Sequence, residues 1–153
     1  MVDTRDVTTV ERFIAAPANK IFALLADPTR HRDIDGSGSV RDAPGGSQTL
    51  ALGSKFGMDM HLGFGYSMES TVIEFEQDHR IAWQSRPAQS LIAHVVGGRI
   101  WRYQLEPTEG GTKVSESWDI SQEKIKQMVR PMRRKTIQAM NATLERIEKI
   151  VAA

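Results

Sequence analysis

Between residues 54 and 120 apolar and polar positions mostly alternate, and after residue 121 apolar residues recur every third or fourth position. A period of two is the mark of half-buried strands, and a period near 3.6 that of an amphipathic helix. On this reading "VTTVERFI" (7–14) is a first strand. "NKIFALLAD" follows Pro17 as a short helix burying Ile21, Phe22, Leu24 and Leu25. Asp27 in "DPTRHRDI" caps a second short helix. "DGSGS" and "PGGS" are loops by composition.

Five strand segments come next. "SKFGMDMHL" puts Phe56, Met58, Met60 and Leu62 on one face, and "YSMESTVIEFE" (66–76) changes phase between Val72 and Ile73, which predicts an irregularity. "RIAWQS" pairs Ile81 with Trp83, and "RIWRYQLEP" groups Trp101, Tyr103 and Leu105. "GGTKVSESWDI" (110–120) turns on two glycines and points Val114, Glu116, Trp118 and Ile120 to one side. From Ser121, an expected cap, the stripe Ile125, Met128, Val129, Met132, Thr136, Met140, Leu144, Ile147 and Val151 defines a helix to about residue 150, with a break near 127–131 imposed by Pro131.

These elements make an α+β protein in which a curved antiparallel sheet of about seven strands wraps a long C-terminal helix, as one domain over residues 1–153. The helix stripe must lie on the sheet. Phe56, Met58, Met60, Trp83, Trp101, Tyr103 and Trp118 are then expected to face Met128, Met132 and Met140 across a cavity. Thioethers re-pack around irregular shapes, so this lining would suit a hydrophobic ligand.

Composition removes several alternatives. With 40% hydrophobic and 25% charged residues the chain has a globular composition, and with no cysteine it has neither disulfides nor thiolate chemistry. Twenty basic residues against 19 acidic ones give a net charge of +1, which offers nothing to expect of nucleic acid. "MVDTRDVTTV" does not read as a signal peptide and no apolar run reaches the ~18 residues of a membrane span, so a cytoplasmic protein without stable membrane insertion is expected. A homodimer stays open, and no cofactor is expected.

The opening "FIAAPANKIFALLADPTRH", with its strand, Ala-Pro, helix and Asp-Pro, is similar to the START-like, or Bet v 1-like (SRPBCC), superfamily. "RIAWQS", "GGRIWRYQLEP", "GGTKVSESWD" and the closing "MRRKTIQAMNATLERIEKI" extend the resemblance over nearly the whole chain. It points to the polyketide cyclase/dehydrase and lipid-transport branch. The resemblance implies a helix-grip fold, a ligand that is a lipid, polyketide or aromatic compound, and catalysis in some members only. Fold alone does not choose among these.

Glu116 is the sharpest candidate for chemistry. A carboxylate on an apolar inward face has its pKa raised, and could serve as general acid or base or hydrogen-bond a ligand hydroxyl. The opposing reading places it at a rim or paired with Arg12. The Tyr103 hydroxyl, if buried, needs a partner, and Glu116 on the neighbouring strand is one. His31, His61, His79 and His94 share no metal-ligand spacing, so no metal site is expected. His31 falls near the expected cavity mouth, and His94 in a stretch (86–98) that could form a lid. "DGSGSV" lacks the Lys-Ser/Thr of a phosphate loop, and "RPMRRK" reads as a solvated helix face with membrane or carrier docking as its alternative. Two functions follow: binding or transport of a hydrophobic small molecule, or a cyclase/dehydratase-type enzyme using Glu116 with Tyr103 as orienting donor.

Overall fold

The computed structural model describes residues 4–44, 46, 48–61, 65–88 and 97–152. Leu62, His94 and most of the 86–98 stretch lie outside them. After a 3-10 turn at Thr4–Asp6, β1 (Val7–Ile14) leads into α1 (Ala18–Leu25), a 3-10 turn at Pro28–Arg30 and α2 (His31–Ile34). Asp27 caps the turn as expected, its carboxylate accepting from the Thr29 amide at 3.0 Å. β2 (Lys55–His61), β3 (Gly65–Glu76), β4 (Arg80–Pro87), β5 (Arg99–Thr108) and β6 (Gly111–Asp119) follow. The chain closes with α3 (Lys126–Val129), a 3-10 turn at Arg130–Met132 and α4 (Arg133–Val151).

The six strands form one antiparallel sheet in the order β1-β6-β5-β4-β3-β2. The register slips between Val72 and Glu74, where the apolar phase changes, leaving Val72 buried and Ile73 outward. About seven strands were expected. A seventh survives only as the bridge Val40–Met60, with backbone bonds from residues 39–42 to the edge of β2. It does not lengthen because Asp35 and Ser37 draw this backbone into local turns: Asp35 accepts from the Ser37 and Val40 amides.

The long helix α4 lays Thr136, Met140, Thr143, Leu144 and Ile147 against the sheet. The loop after α2 can approach it closely because position 36 is glycine. A Cβ there would lie 2.1 Å from the Ala139 carbonyl, and the Gly36 amide donates to Thr143 Oγ1 at 2.8 Å. Helical structure begins at Lys126 rather than at Ser121, whose amide is instead taken by the Asp119 carboxylate at 2.9 Å. Pro131 interrupts the helix with a 3-10 turn, and the apolar stripe does not run straight through it. Met128 and Met132, expected to face the sheet, are 58% and 40% exposed. Met140, about two turns beyond the break, is buried as expected.

Candidate ligand-binding site

Directly paired residues of an antiparallel sheet share a face, so the register sets which inward side chains are neighbours. Trp118 on β6 pairs with Trp101 on β5, which pairs with Trp83 on β4, placing the chain's three tryptophans in one row across the sheet. The next row runs Val10, Glu116, Tyr103, Ile81. Both rows face the helix side. Trp83, Tyr103, Glu116 and Trp118 are buried, while Trp101 is half-buried.

The interior separates into two apolar clusters. One gathers Phe56, Met58, Trp83 and Tyr103 with α1, Ile34 and the far half of α4. The other gathers Trp118, Ile120, Val129 and Met140. Val10 and Trp101 touch both, and Met60 packs at the margin of the first. Glu116 is paired with Val10 and stands between Val114 of the first cluster and Trp118 of the second. Its carboxyl therefore lies where the two clusters meet.

The Tyr103 hydroxyl donates to Glu116 Oε2 at 2.9 Å, the bond expected from the adjacency of these strands. Glu116 Oε1 and the indole Nε1 of Trp118 are buried with no hydrogen-bond partner among the described residues. Arg12 does not reach Glu116; it binds Glu148 on α4 at 2.8 Å. Burial pushes the Glu116 carboxyl up to about 8, against a smaller lowering by the Tyr103 hydroxyl bond. Burial, then the Glu116 charge, pushes Tyr103 well above the usual phenol range. At neutral pH the pair is thus predominantly uncharged. With Oε2 accepting from tyrosine, Oε1 is the place for the carboxyl proton, and it can donate.

His31, expected near the cavity mouth, belongs to this wall and is more deeply buried than a rim position. It is buried, stacked on Trp83 with 4.9 Å between centroids and 18° between planes, and edge-on to Phe56 at 5.5 Å. Its Nε2 meets the Leu25 carbonyl at 2.9 Å, and burial lowers its pKa. The Asp27 cap fixes where this turn starts and so which way His31 points. A cleft on the outer sheet face, lined by Glu11, Glu76, Arg80 and Lys113 among others, is far more charged and lacks an aromatic wall. Among the described residues no three His, Asp or Glu side chains are grouped to hold a metal ion.

A family model described as "Polyketide cyclase / dehydrase and lipid transport" matches residues 5–152. The chain belongs to this family. Solved structures of similar fold include protein NE0264 from Nitrosomonas europaea, with a TM-score of 0.76 at 17% identity over 99% of this chain and 97% of that one. Protein Ms6760 from Mycobacterium smegmatis has a TM-score of 0.71 at 18% identity, over 99% and 95% of the two chains. DynU16, from the dynemicin biosynthetic locus, aligns with a TM-score of 0.64 at 14% identity, over 97% of this chain and 48% of that one. At these identities the likeness is one of fold. An uncharacterized Mycobacterium tuberculosis protein, Rv0088, is 38% identical over 110 residues, which is 69% of this chain and 44% of that protein. The match therefore spans less than half the length of that relative. Glu116, Tyr103, Trp118 and His31 bring polar groups to a largely apolar inner wall. No helix among the described residues is long and apolar enough to cross a membrane.

Proposed function

We propose that the protein binds a hydrophobic small molecule between β4–β6 and α4, and holds one polar oxygen of it with Glu116 and Trp118. The observation that carries this is the pair of buried polar atoms, Glu116 Oε1 and Trp118 Nε1, which have no partner among the described residues and lie on one face of one strand. A buried polar group left unpaired costs about 1–3 kcal/mol, so a ligand oxygen accepting from both would recover that free energy. Trp83, Trp101, Phe56, Met58, Met60 and Met140 supply the apolar walls, and flat rings gain further from offset stacking on indole.

The test is titration by tryptophan fluorescence with an aromatic ketone and with the hydrocarbon of the same ring system. Trp118→Phe keeps a six-membered aromatic ring and removes the N–H. It should weaken ketone binding about tenfold and leave the hydrocarbon unchanged. Equal binding of both ligands by the native protein would sink the reading.

A second reading, a cyclase/dehydratase-type enzyme, is favoured by the carboxyl that stays protonated near neutral pH. Glu116 would donate its proton to a departing β-hydroxyl, which leaves as water. The resulting carboxylate would take the α-proton as the double bond forms, with Tyr103 holding the carboxyl in place. Its signature is Glu116→Gln retaining ligand affinity while turnover of a β-hydroxy ketone disappears.

A further inference from the structure

We propose that residues 125–135 form a surface that docks reversibly on anionic lipid membranes. Ile125, at the N-cap of α3, Met128 within it and Met132 at the end of the 3-10 turn are 37%, 58% and 40% exposed, so this short segment leaves three large apolar side chains open to solvent. The break at Pro131 turns this end of the apolar stripe away from the sheet.

Charge marks the same segment. Between Glu123 and Glu145 there is no acidic residue, while Lys124, Lys126, Arg130, Arg133, Arg134 and Lys135 all fall within it. The rest of a chain of net charge +1 is therefore acidic on balance, and the positive charge is concentrated here. Asp6 takes Arg130 at 3.1 Å and Lys126 at 3.6 Å, and Arg133 donates to the Arg5 carbonyl. These contacts hold the segment to the start of β1. Arg134 and Lys135 remain exposed beside it. A cleft lined by Arg130, Arg133, Arg134 and Ile137 continues the same combination of apolar floor and cationic rim.

Lipid suits this pattern better than a protein partner. Three apolar side chains standing among cations cannot bury the roughly 800 Å² per side of an ordinary protein interface. They can enter the headgroup region, where flexible thioethers need no matched surface and where each nearby cation is attracted by anionic lipid. Val129, on the inner side of the same turn, packs in the cluster that contains Trp118. The docked surface would thus lie over one end of the interior. The docking inference does not depend on that interior holding a ligand.

Flotation of the purified protein with vesicles separates the outcomes. Vesicles of phosphatidylcholine containing phosphatidylglycerol should carry the protein, phosphatidylcholine alone should not, and about 0.5 M NaCl should release it, since screening weakens the cationic attraction. Arg134→Glu with Lys135→Glu should lower binding at least tenfold, and Met128→Ser with Met132→Ser several-fold. All four side chains are exposed, and unchanged far-ultraviolet circular dichroism would show that the variants fold. No binding to anionic vesicles, as expected if the patch serves an acidic protein instead, would overturn the proposal. So would binding that neither double variant alters.

Discussion

The imidazole of His31 lies flat on the indole of Trp83, 4.9 Å away and 18° from parallel, with its Nε2 on the Leu25 carbonyl. Burial lowers its pKa below the ordinary value of 6.5. The folded state therefore holds this ring neutral where the unfolded chain protonates it. Stability from this group is complete above pH 6.5 and is lost as pH falls through the folded value. Urea unfolding of the native protein should weaken on acidification below about pH 6.5, and His31→Phe should lose that dependence. Trp83 emission should fall over the same range, and a flat emission curve would count against it.

Glu116 gives the opposite slope. Its carboxyl ionises near 4.5 in the unfolded chain and at about 8 when folded, so the stability it contributes is present below 4.5 and is lost as pH rises towards 8. Glu116→Gln should match the native protein in acid and exceed it above pH 8 by roughly a few kcal/mol. Tyr103→Phe removes the bond that lowers this pKa, so it should raise the Glu116 titration further and cost about 1–3 kcal/mol. A Glu116 carboxyl resonance titrating near 4.5 in the folded protein would refute both.

Glu123 is a second buried carboxylate, with a structural task. It accepts from the Gly97 amide at 3.1 Å, the Arg99 amide at 2.9 Å and Arg99 Nε at 3.3 Å. Gly98 between them has φ +109°, and a Cβ there would lie 2.4 Å from the Gln122 carbonyl. Glu123→Ala leaves two amides and a guanidinium without their acceptor, at a cost of about 3–5 kcal/mol. Urea unfolding gives the loss, and hydrogen exchange at the Gly97 and Arg99 amides should accelerate. Unchanged exchange there would show that the clamp does not hold the start of β5.

Alternation made the inner wall legible because each strand presents one face to the helix. It even located the slip at Val72, since a bulge must shift the apolar phase. The Tyr103–Glu116 bond could be anticipated because β5 and β6 join through the tight turn at Gly110, which fixes their register. What failed came from tertiary placement. Pro131 announced a break near 127–131, but not that Met128 and Met132 would face outward there. Arg12 found Glu148 because α4 lies along β1, which no local pattern encodes. Glu123 sits in a segment without a period, and the orphaned Trp118 N–H is a property of everything around it.

The first strand lies beside the last. Val7 meets Asp119 and Ile14 meets Thr112, whereas each of the other pairings joins strands consecutive along the chain. During synthesis β1 leaves the ribosome without a neighbour, and α1 emerges before much of the wall it will cover. The β2–β6 meander can assemble in order while β1 waits for a closure of high sequence separation, the slow kind of step in folding. Since Glu116 pairs with Val10 as well as Tyr103, its burial is completed only at that closure. The carboxyl would then be among the last groups to leave water, and its delayed proton uptake would report the final stage of folding.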